Sequence, residues 1–146
     1  MKPTSKSSPF MGRGTTPCLQ FSIPYTEPDV RQAVISFKGE QSGHLVEKWY
    51  PKNKEGIRDI TFLPKEKEGI TTTFLEVTLS QQETLGSETT TGFEENEKII
   101  MSVKLLVEDG DGNLSVPYCA PLYTYMGQVL YEEALPWNEE GTSNEQ

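Results

Sequence analysis

Apolar and polar residues alternate along most of the chain between residues 17 and 135. A period of two places successive side chains on opposite faces of an extended strand, so this alternation predicts β-structure. Glycine, proline and charged clusters separate the alternating segments at short intervals, as turns do in a sandwich. We therefore predict an all-β fold, an immunoglobulin-like β-sandwich of about seven strands. The predicted strands cover residues 18–23, 33–37, 45–50, 57–63, 74–79, 98–107 and 114–125.

The segment 98–107 has the clearest strand pattern. Five apolar residues share one of its faces, which predicts a strand in the middle of a sheet. The segment 114–125 contains Pro117 and Pro121, and proline cannot donate to a strand ladder, so an edge or bulged strand is expected there. The weaker segment 57–63 is followed by Pro64 and the sequence KEKEG, which we interpret as a turn. The apolar residues of the central strand are Ile99, Met101, Val103, Leu105 and Val107.

One helical signal interrupts the strands. Ser80 to Glu83 reads S-x-x-E, a capping box, and Gly86 follows so closely that one short helical turn is expected. The two ends have a different composition. Residues 1–16 are rich in Ser, Thr, Pro and Gly and are expected to be a disordered N-terminal arm, and residues 136–146 an acidic disordered tail. The sandwich domain would then span residues 17–135.

The charge balance excludes several kinds of partner. Thirteen Lys and Arg against 22 Asp and Glu give a net charge of -9, which opposes binding to nucleic acid or to anionic membranes. The N-terminal residues lack the apolar segment of a secretory signal, and no window approaches the length of a membrane span. We expect the chain to stay in a cytoplasm or to be assembled into a particle there.

Residues that could support catalysis are sparse. His44 is the only histidine, and its position at the start of a strand favours an exposed loop residue over a catalytic base. Cys18, Cys119 and His44 lack metal-ligand spacing. We predict no catalytic, cofactor-binding or metal-binding residues and no small-molecule substrate. The two cysteines could pair if the first and last strands were neighbours, but two reduced, half-buried thiols are the favoured interpretation.

The sequence DGDGN at residues 109–113 allows two interpretations. Its alternating oxygens suggest a calcium loop, yet an EF-hand loop starting at Asp109 needs glycine at its sixth position and glutamate at its twelfth, where Leu114 and Ala120 stand. Its position between two apolar strands favours a hairpin turn. Weak calcium affinity at Asp109, Asp111 and Asn113 stays open.

Tyrosines are concentrated near the C-terminus of the chain. Tyr118, Tyr123, Tyr125 and Tyr131, together with Met126, suit a protein–protein contact because tyrosine provides a large contact area at low entropic cost. They suit the rim of the core equally well. Trp137, alone in the polar tail, would fold back on the domain or anchor to a partner.

The order of several sequence blocks resembles a family of small proteins encoded by phages and prophages of gut Firmicutes. That family begins with an R-G-T-T-P signature, has a Q-E-E-T-L block, a long strand, a D-G turn and a short C-terminal ending. The likeness covers about Met11 to Leu135, with extra length here at residues 51–69 and 86–98. The matching blocks are GRGTTP, LQFSIP, VISFKGEQ, LVEKW, LEVTLSQQETL, SVKLLVEDGDGN and VLYEEAL.

The resemblance implies a virion or tail-region component without catalytic residues. It implies a non-enzymatic structural or assembly module that acts by protein–protein contacts, in the host cytoplasm during assembly and then in the virion. Its partners would be other copies or other virion proteins, and an arm containing Arg13 would become ordered on binding. The alternative is an acidic anti-host factor that binds a basic host or defence protein, because the charge of -9 suits such a target. The expected interaction residues are Arg13, Tyr118, Tyr123, Tyr125, Tyr131 and Trp137.

Overall fold

A computed structural model describes residues 10–86 and 92–129 of the chain. Strands dominate this part, with one five-residue helix and one 3-10 turn at Glu27–Asp29. The strands and the helix are β1 (Phe10–Arg13), β2 (Cys18–Ile23), β3 (Val30–Gly39), β4 (Leu45–Tyr50), β5 (Thr61–Lys67), β6 (Ile70–Thr78), α1 (Gln81–Leu85), β7 (Lys98–Glu108), β8 (Leu114–Ser115) and β9 (Leu122–Val129).

The strands form two sheets. The large sheet has the order β1-β9-β7-β3-β4, with the short β8 also paired to β7, and the small sheet has the order β2-β6-β5. Strand β1 runs parallel to β9, whereas the other neighbours are antiparallel. Adjacent strands in sequence lie in different sheets in several places, as in immunoglobulin sandwiches. The prediction of an all-β, immunoglobulin-like sandwich is therefore confirmed.

The core lies between the two sheets and follows the period-two pattern. In β3, every second residue from Ala33 to Phe37 is buried, and Phe21 of the small sheet meets Phe37 of the large sheet with ring centroids 6.2 Å apart. Burying such a side chain stabilises the fold by about 1.5–3 kcal/mol. The fully buried apolar side chains include Ile35, Phe37, Ile60, Leu75, Leu79, Phe93, Ile99 and Met126, of which Ile60 and Phe93 lie outside the strands.

Residues 10–16 of the expected N-terminal arm belong to the described fold. Phe10–Arg13 forms β1 and pairs with β9, so the expectation of a disordered arm over residues 1–16 is wrong from residue 10 onward. Met11 is buried at 3% exposure, and the backbone N–H of Gly14 donates to Thr84 Oγ1 of α1 at 3.1 Å. These contacts offset the conformational entropy lost when the segment is ordered. Residues 1–9 and 130–146, which include the expected acidic tail, lie outside the described residues.

Two strand predictions were also wrong in their bounds. Pro64 and the following charged residues belong to β5 rather than to a turn, and the reversal occurs at Glu68 and Gly69, whose φ angles are 53° and 80°. Both positive values suit a two-residue hairpin turn, and proline is tolerated because β5 is an edge strand. The predicted last strand is divided into β8 and β9 by residues 116–121, which contain both prolines.

The capping box forms as predicted. Ser80 Oγ accepts from the backbone N–H of Glu83, and the Glu83 carboxylate accepts from the backbone N–H of Ser80. Gly86 follows the helix at a φ of 87°, which ends it after Leu85. The resulting short helix packs beside β1 and joins β6 to the loop that precedes β7.

Candidate protein-binding face

The large sheet has one face on the core and one face toward solvent. Alternate residues of β3, β4, β7 and β9 point away from the core, because their sequence neighbours are buried against the small sheet. We name this surface the outer face. It consists of Val34, Ser36, Lys38, Leu45, Glu47, Trp49, Lys98, Ile100, Ser102, Lys104, Leu106, Tyr123 and Tyr125.

One row of the outer face crosses four strands. The pairing register places Tyr123 beside Ile100, Ile100 beside Lys38, and Lys38 beside Leu45. Tyr123 is 52% exposed and Leu45 is 50% exposed, at the two ends of this row. Cross-strand neighbours lie about 4.5–5.5 Å apart, so the row is a continuous band of apolar and cationic groups.

A second row lies four residues further along the strands. Lys104 pairs with Val34, and Val34 pairs with Trp49, both side chains of that pair being half-buried. Between the two rows, the hydroxyls of Ser36 and Ser102 lie 3.1 Å apart and can hydrogen-bond to each other. This side-chain contact fixes the register of β3 against β7 at the centre of the face.

The outer face is positively charged although the chain as a whole is acidic. Lys38, Lys98 and Lys104 face solvent here, and their charges outnumber the carboxylate of Glu47. Glu108, at the end of β7 on the same face, forms an ion pair with Arg31. Lys98 Nζ lies 4.2 Å from the centroid of the Tyr123 ring, a cation–π contact that holds both side chains against the sheet. The chain therefore presents a local cationic surface within a net charge of -9.

The structure brings together two of the predicted tyrosines and separates a third. Tyr123 and Tyr125 are neighbours on the outer face of β9, 52% and 42% exposed. Tyr118 lies on the segment between β8 and β9 and is 86% exposed. Met126, which we grouped with these tyrosines, is fully buried because it points to the core face of β9.

The remaining predicted interaction residues are not among those that define the outer face. Arg13 lies in β1, where its backbone pairs with Val129. Tyr131 and Trp137 lie outside the described residues. Their expected part in binding stays a prediction.

Tyr118 lines a groove at the open edge of β2. The groove has a volume of about 440 Å³ and lies between Gln20–Pro24 on one side and Cys119 and Leu122 on the other. Cys119 is half-buried and packs against the core, whereas Cys18 is exposed, so the expectation of two half-buried thiols is correct for Cys119 alone. Both thiols are free.

Several residues of the outer face were missed by sequence reasoning. Val34, Ile100, Leu106 and Trp49 occupy positions that the alternation assigns to solvent, yet they are apolar. A signal was present, since apolar residues on both faces of one strand indicate that both faces are covered or are used for binding. The pairing of β3 between β4 and β7 was needed to join them into one surface.

A buried carboxylate organises the loops at the end of the large sheet where β7 begins. Glu97 is 1% exposed and accepts hydrogen bonds from the backbone N–H of Gln41 at 2.8 Å, of Ser42 at 2.9 Å and of Glu94 at 2.6 Å, and from Ser42 Oγ at 2.8 Å. Burial opposes ionisation, but these four hydrogen bonds together outweigh it and hold the pKa of Glu97 below its ordinary value. The ionised carboxylate of Glu97 therefore holds these loops together.

His44 is not the exposed loop residue that we expected. Its ring is half-buried and contacts Phe93 edge-on, with centroids 4.6 Å apart, and Nε2 donates to the backbone carbonyl of Glu83 at 2.8 Å. Lys48 donates to both carboxylate oxygens of Glu83 at 2.8 and 2.9 Å. These contacts attach β4 and the turn before it to α1, because His44 stands at the start of the strand.

The segment 109–113 forms a turn between β7 and β8. Asp109 Oδ1 accepts from the backbone N–H groups of Asp111 and Asn113 at 2.8 and 2.9 Å, and Gly112 has a φ of 83°. The hydrogen bond from Asn113, with that from Asp111, lowers the pKa of Asp109. The carboxylate therefore completes an Asx turn, as the hairpin interpretation requires.

Searches for similar proteins add no identification. No family model, no curated protein and no solved structure matches the chain. Within residues 10–86 and 92–129, no three His, Cys, Asp or Glu side chains are grouped so that they could hold a metal ion. In the same part of the chain, no helix has the length and apolar character needed to cross a membrane.

Proposed function

We propose that the chain is a non-enzymatic structural or assembly module that acts by protein–protein contacts through its outer face. The observation that carries this proposal is the combination of Tyr123, Ile100 and Val34 with lysines on one exposed sheet face. Aromatic and aliphatic groups provide the apolar centre of an interface, and charged groups provide specificity. The likeness to small phage and prophage proteins favours a virion protein as the setting.

The chemistry of the polar groups also favours a binding module. His44 Nε2 is committed to the Glu83 carbonyl, and the Glu97 carboxylate is committed to backbone and hydroxyl donors. Groups in such contacts stabilise loops, and a general base must instead have a free position toward a substrate. The acidic surface outside the outer face opposes non-specific association, which suits a protein with selective contacts.

We propose that the chain acts first in the host cytoplasm and then in the phage particle. A phage structural protein is made in the host cytoplasm and is then built into the particle. The partners are further copies of the chain or other virion proteins, with no nucleic acid, membrane or small molecule taking part. The rigid β-sandwich suits this role, because an interface on strands is held in place by the ladders around it.

Particle incorporation tests the proposal. A phage that encodes a tagged copy should yield purified particles containing the protein, and the substitution Ile100→Asp with Val34→Asp should reduce its amount by at least about tenfold, because an interface centre does not tolerate unpaired charge. Ile70→Asp with Leu63→Asp on the small sheet is the matched control, since it adds the same charges elsewhere on the surface.

Two other results would contradict the proposal in different ways. Equal incorporation of the outer-face variant and the control would refute the outer face as the contact surface. Absence of the wild-type chain from particles, combined with a salt-sensitive complex with a basic host protein, would favour the anti-host alternative. Thermal unfolding of every variant shows whether the sandwich is intact, because only folded variants can be compared.

A further inference from the structure

In the described part of the chain, three of the four edges of the two sheets are protected against further pairing. On β5, Pro64 has no N–H to donate, and charged residues follow it. On β4, the backbone N–H of Trp49 donates to Asp59 Oδ2 at 3.1 Å. Strand β1 lies beside α1, and the N–H of Gly14, just after β1, donates to Thr84. Natural proteins protect sheet edges in such ways because an open edge pairs with other strands.

The fourth edge, β2, has none of these protections. Its six residues, CLQFSI, include no proline and no charged side chain. It pairs with β6 on one side, and no other described strand pairs with it. An edge without proline, charge or a covering strand is a template for a further strand.

The pairing of β2 with β6 shows which backbone groups the open edge presents. The N–H of Leu79 donates to the C=O of Pro17 at 3.0 Å, in register with the ladder that follows. In an antiparallel ladder, residues that hydrogen-bond to the neighbouring strand alternate with residues whose backbone groups point the other way. The N–H and C=O groups of Cys18, Gln20 and Ser22 therefore point away from β6. None of these groups has a hydrogen-bond partner within the described residues.

The groove between Gln20–Pro24 and Cys119–Leu122 runs along this open edge. It has a volume of about 440 Å³, and none of the residues that line it is charged. On the wall opposite β2, Leu122 is 49% exposed and Tyr118 is 86% exposed. The groove therefore has unpaired backbone groups on one wall and uncovered apolar side chains on the other.

The position of the groove admits one strand rather than a second sandwich. Val103 of β7 and Leu122 of β9 both line it, so the large sheet continues past β2 toward β9 and β1. A second copy that approached β2 edge to edge would have to place its own large sheet in the layer that β9 and β1 already occupy. A single extended segment avoids this conflict, because it needs only the strand spacing of about 4.8 Å beside β2.

The chemistry of the edge defines the segment that it accepts. Successive side chains of an added strand point to opposite faces, so every second one enters the uncharged groove and must be apolar. The others lie beside Gln20 on the solvent face, where Glu76 and Lys65 both hydrogen-bond to the Gln20 side chain and balance each other in charge. The net charge of -9 then favours a neutral or basic segment over an acidic one.

We infer that β2 accepts an extended segment of another protein by strand addition, as a fourth strand of the small sheet. The segment is apolar at every second position and neutral or basic at the others. Its backbone pairs with Cys18, Gln20 and Ser22, and its apolar side chains cover Leu122. This contact goes beyond the proposed function, because it uses the small sheet and leaves the outer face free.

Hydrogen exchange of single amides in the full-length chain is the first test. Without a ligand, the amides of Gln20 and Ser22 should exchange fast, whereas those of Leu19 and Phe21, which face β6, should exchange slowly. Slow exchange at both Gln20 and Ser22 would show that the edge is already paired. That result would overturn the inference.

A displayed library of random peptides of about ten residues supplies the probe for binding. Selection on the full-length chain should enrich peptides with apolar residues at every second position and few acidic residues. On binding, exchange at Gln20 and Ser22 should slow by at least about tenfold, while exchange along β5 should not change. Failure to enrich peptides of this pattern overturns the inference.

Two substitutions test the two walls of the groove separately. Gln20→Pro removes an N–H that points away from β6, and Leu122→Asp places a charge on the opposite wall. Each should weaken binding of the selected peptides by at least about tenfold. The matched controls are Glu66→Pro on the other edge of the small sheet and Leu45→Asp, which is 50% exposed on the outer face. Both controls should bind as the wild type does.

Thermal unfolding shows which variants are folded, and Leu122→Asp decides alone if the proline variant is not, since Leu122 is half exposed. Peptide binding that the folded edge variants retain overturns the inference. If Ile100→Asp with Val34→Asp abolishes peptide binding instead, the peptides bind the outer face, and only the inference fails. If the edge variants lose peptide binding but the outer-face variant enters particles as its control does, the inference stands and the proposed function fails.

Discussion

The carboxylate of Glu97 lies in the space that a side chain at Gly39 would fill. A Cβ atom added to Gly39 would lie 2.6 Å from Glu97 Oε2, and only a glycine leaves this room at the end of β3. The carboxylate in turn accepts from the backbone of Gln41 and Ser42, which follow Gly39 in the turn to β4. The absence of a side chain at Gly39 and the buried carboxylate of Glu97 thus both determine the shape of the turn between β3 and β4.

Substitution of Gly39 should destabilise the sandwich without changing any apolar contact. Gly39→Ala forces the Cβ against both Glu97 and Ser42 Oγ, which would lie 2.5 Å away. Overpacking of this kind costs about 1–3 kcal/mol, so the free energy of unfolding in urea should fall by that amount. Gly110→Ala is the control, because no atom lies within 4 Å of its added Cβ. Equal stability of the Gly39 variant and the wild type would contradict this account of the turn.

The ionised form of Glu97 should make the fold sensitive to acid. Its pKa is lower in the folded chain than its ordinary value of 4.5, so the folded state binds fewer protons than the unfolded state. The stabilisation is fully present above pH 4.5 and is lost as pH falls through the lowered pKa. Urea unfolding at a series of pH values should therefore show stability decreasing below that point.

Glu97→Gln separates this carboxylate from the other acids. The amide presents an N–H₂ group to backbone donors, so at neutral pH we expect a loss of roughly 1–3 kcal/mol. The difference in stability between wild type and variant should shrink as pH falls, because the wild-type carboxylate becomes protonated. Asp109→Asn is the comparison, since the pKa of Asp109 is also lowered but its carboxylate is exposed. A difference that stays constant from neutral pH to pH 3 would exclude Glu97 as the acid-sensitive group.

Thr84 links the helix to the N-terminal segment. Its hydroxyl accepts from the Gly14 N–H at 3.1 Å and lies 3.1 Å from the Thr15 carbonyl, to which it can donate, and the side chain is fully buried. Thr84→Val keeps the shape and removes the hydroxyl, which leaves buried polar groups unsatisfied at a cost of about 1–3 kcal/mol. Hydrogen exchange should accelerate at Gly14 and along β1 more than in β7.

Thr78→Val provides the control for this substitution. Thr78 is an exposed strand residue of β6, so its replacement should change stability by less than about 0.5 kcal/mol. If Thr84→Val leaves exchange in residues 10–15 unchanged, then β1 is held by its pairing with β9 alone. In that case the contact with α1 adds nothing to the order of the N-terminal segment.

The fold class could be predicted from the sequence because local alternation determines it. The core faces of β3 and β7 follow from period two, and the capping box at Ser80 to Glu83 depends on residues three positions apart. Strand β1 could not be predicted in this way. It pairs with β9 more than a hundred residues later, and such a long-range contact leaves little local pattern.

The candidate site was predictable only in part, for the same reason. Tyr123 and Tyr125 are two residues apart on one strand, so their shared face follows from the alternation. Their relation to Lys38 and Val34 depends on which strands are neighbours, and sequence alone does not determine strand order. The separation of Tyr118 from this group depends on the irregular segment between β8 and β9.

Calcium should leave the stability of the chain unchanged. Asp109 Oδ1 already accepts two backbone hydrogen bonds, and an ion at this position would have to replace them. A ligand that binds only the folded state raises the free energy of unfolding, by about 2.7 kcal/mol when its concentration is a hundred times its Kd. We therefore expect the Tm in several millimolar calcium chloride to stay within about 1 °C of the Tm in EDTA. A rise in Tm that saturates with calcium and is absent in Asp109→Ala would instead show that the turn binds the ion.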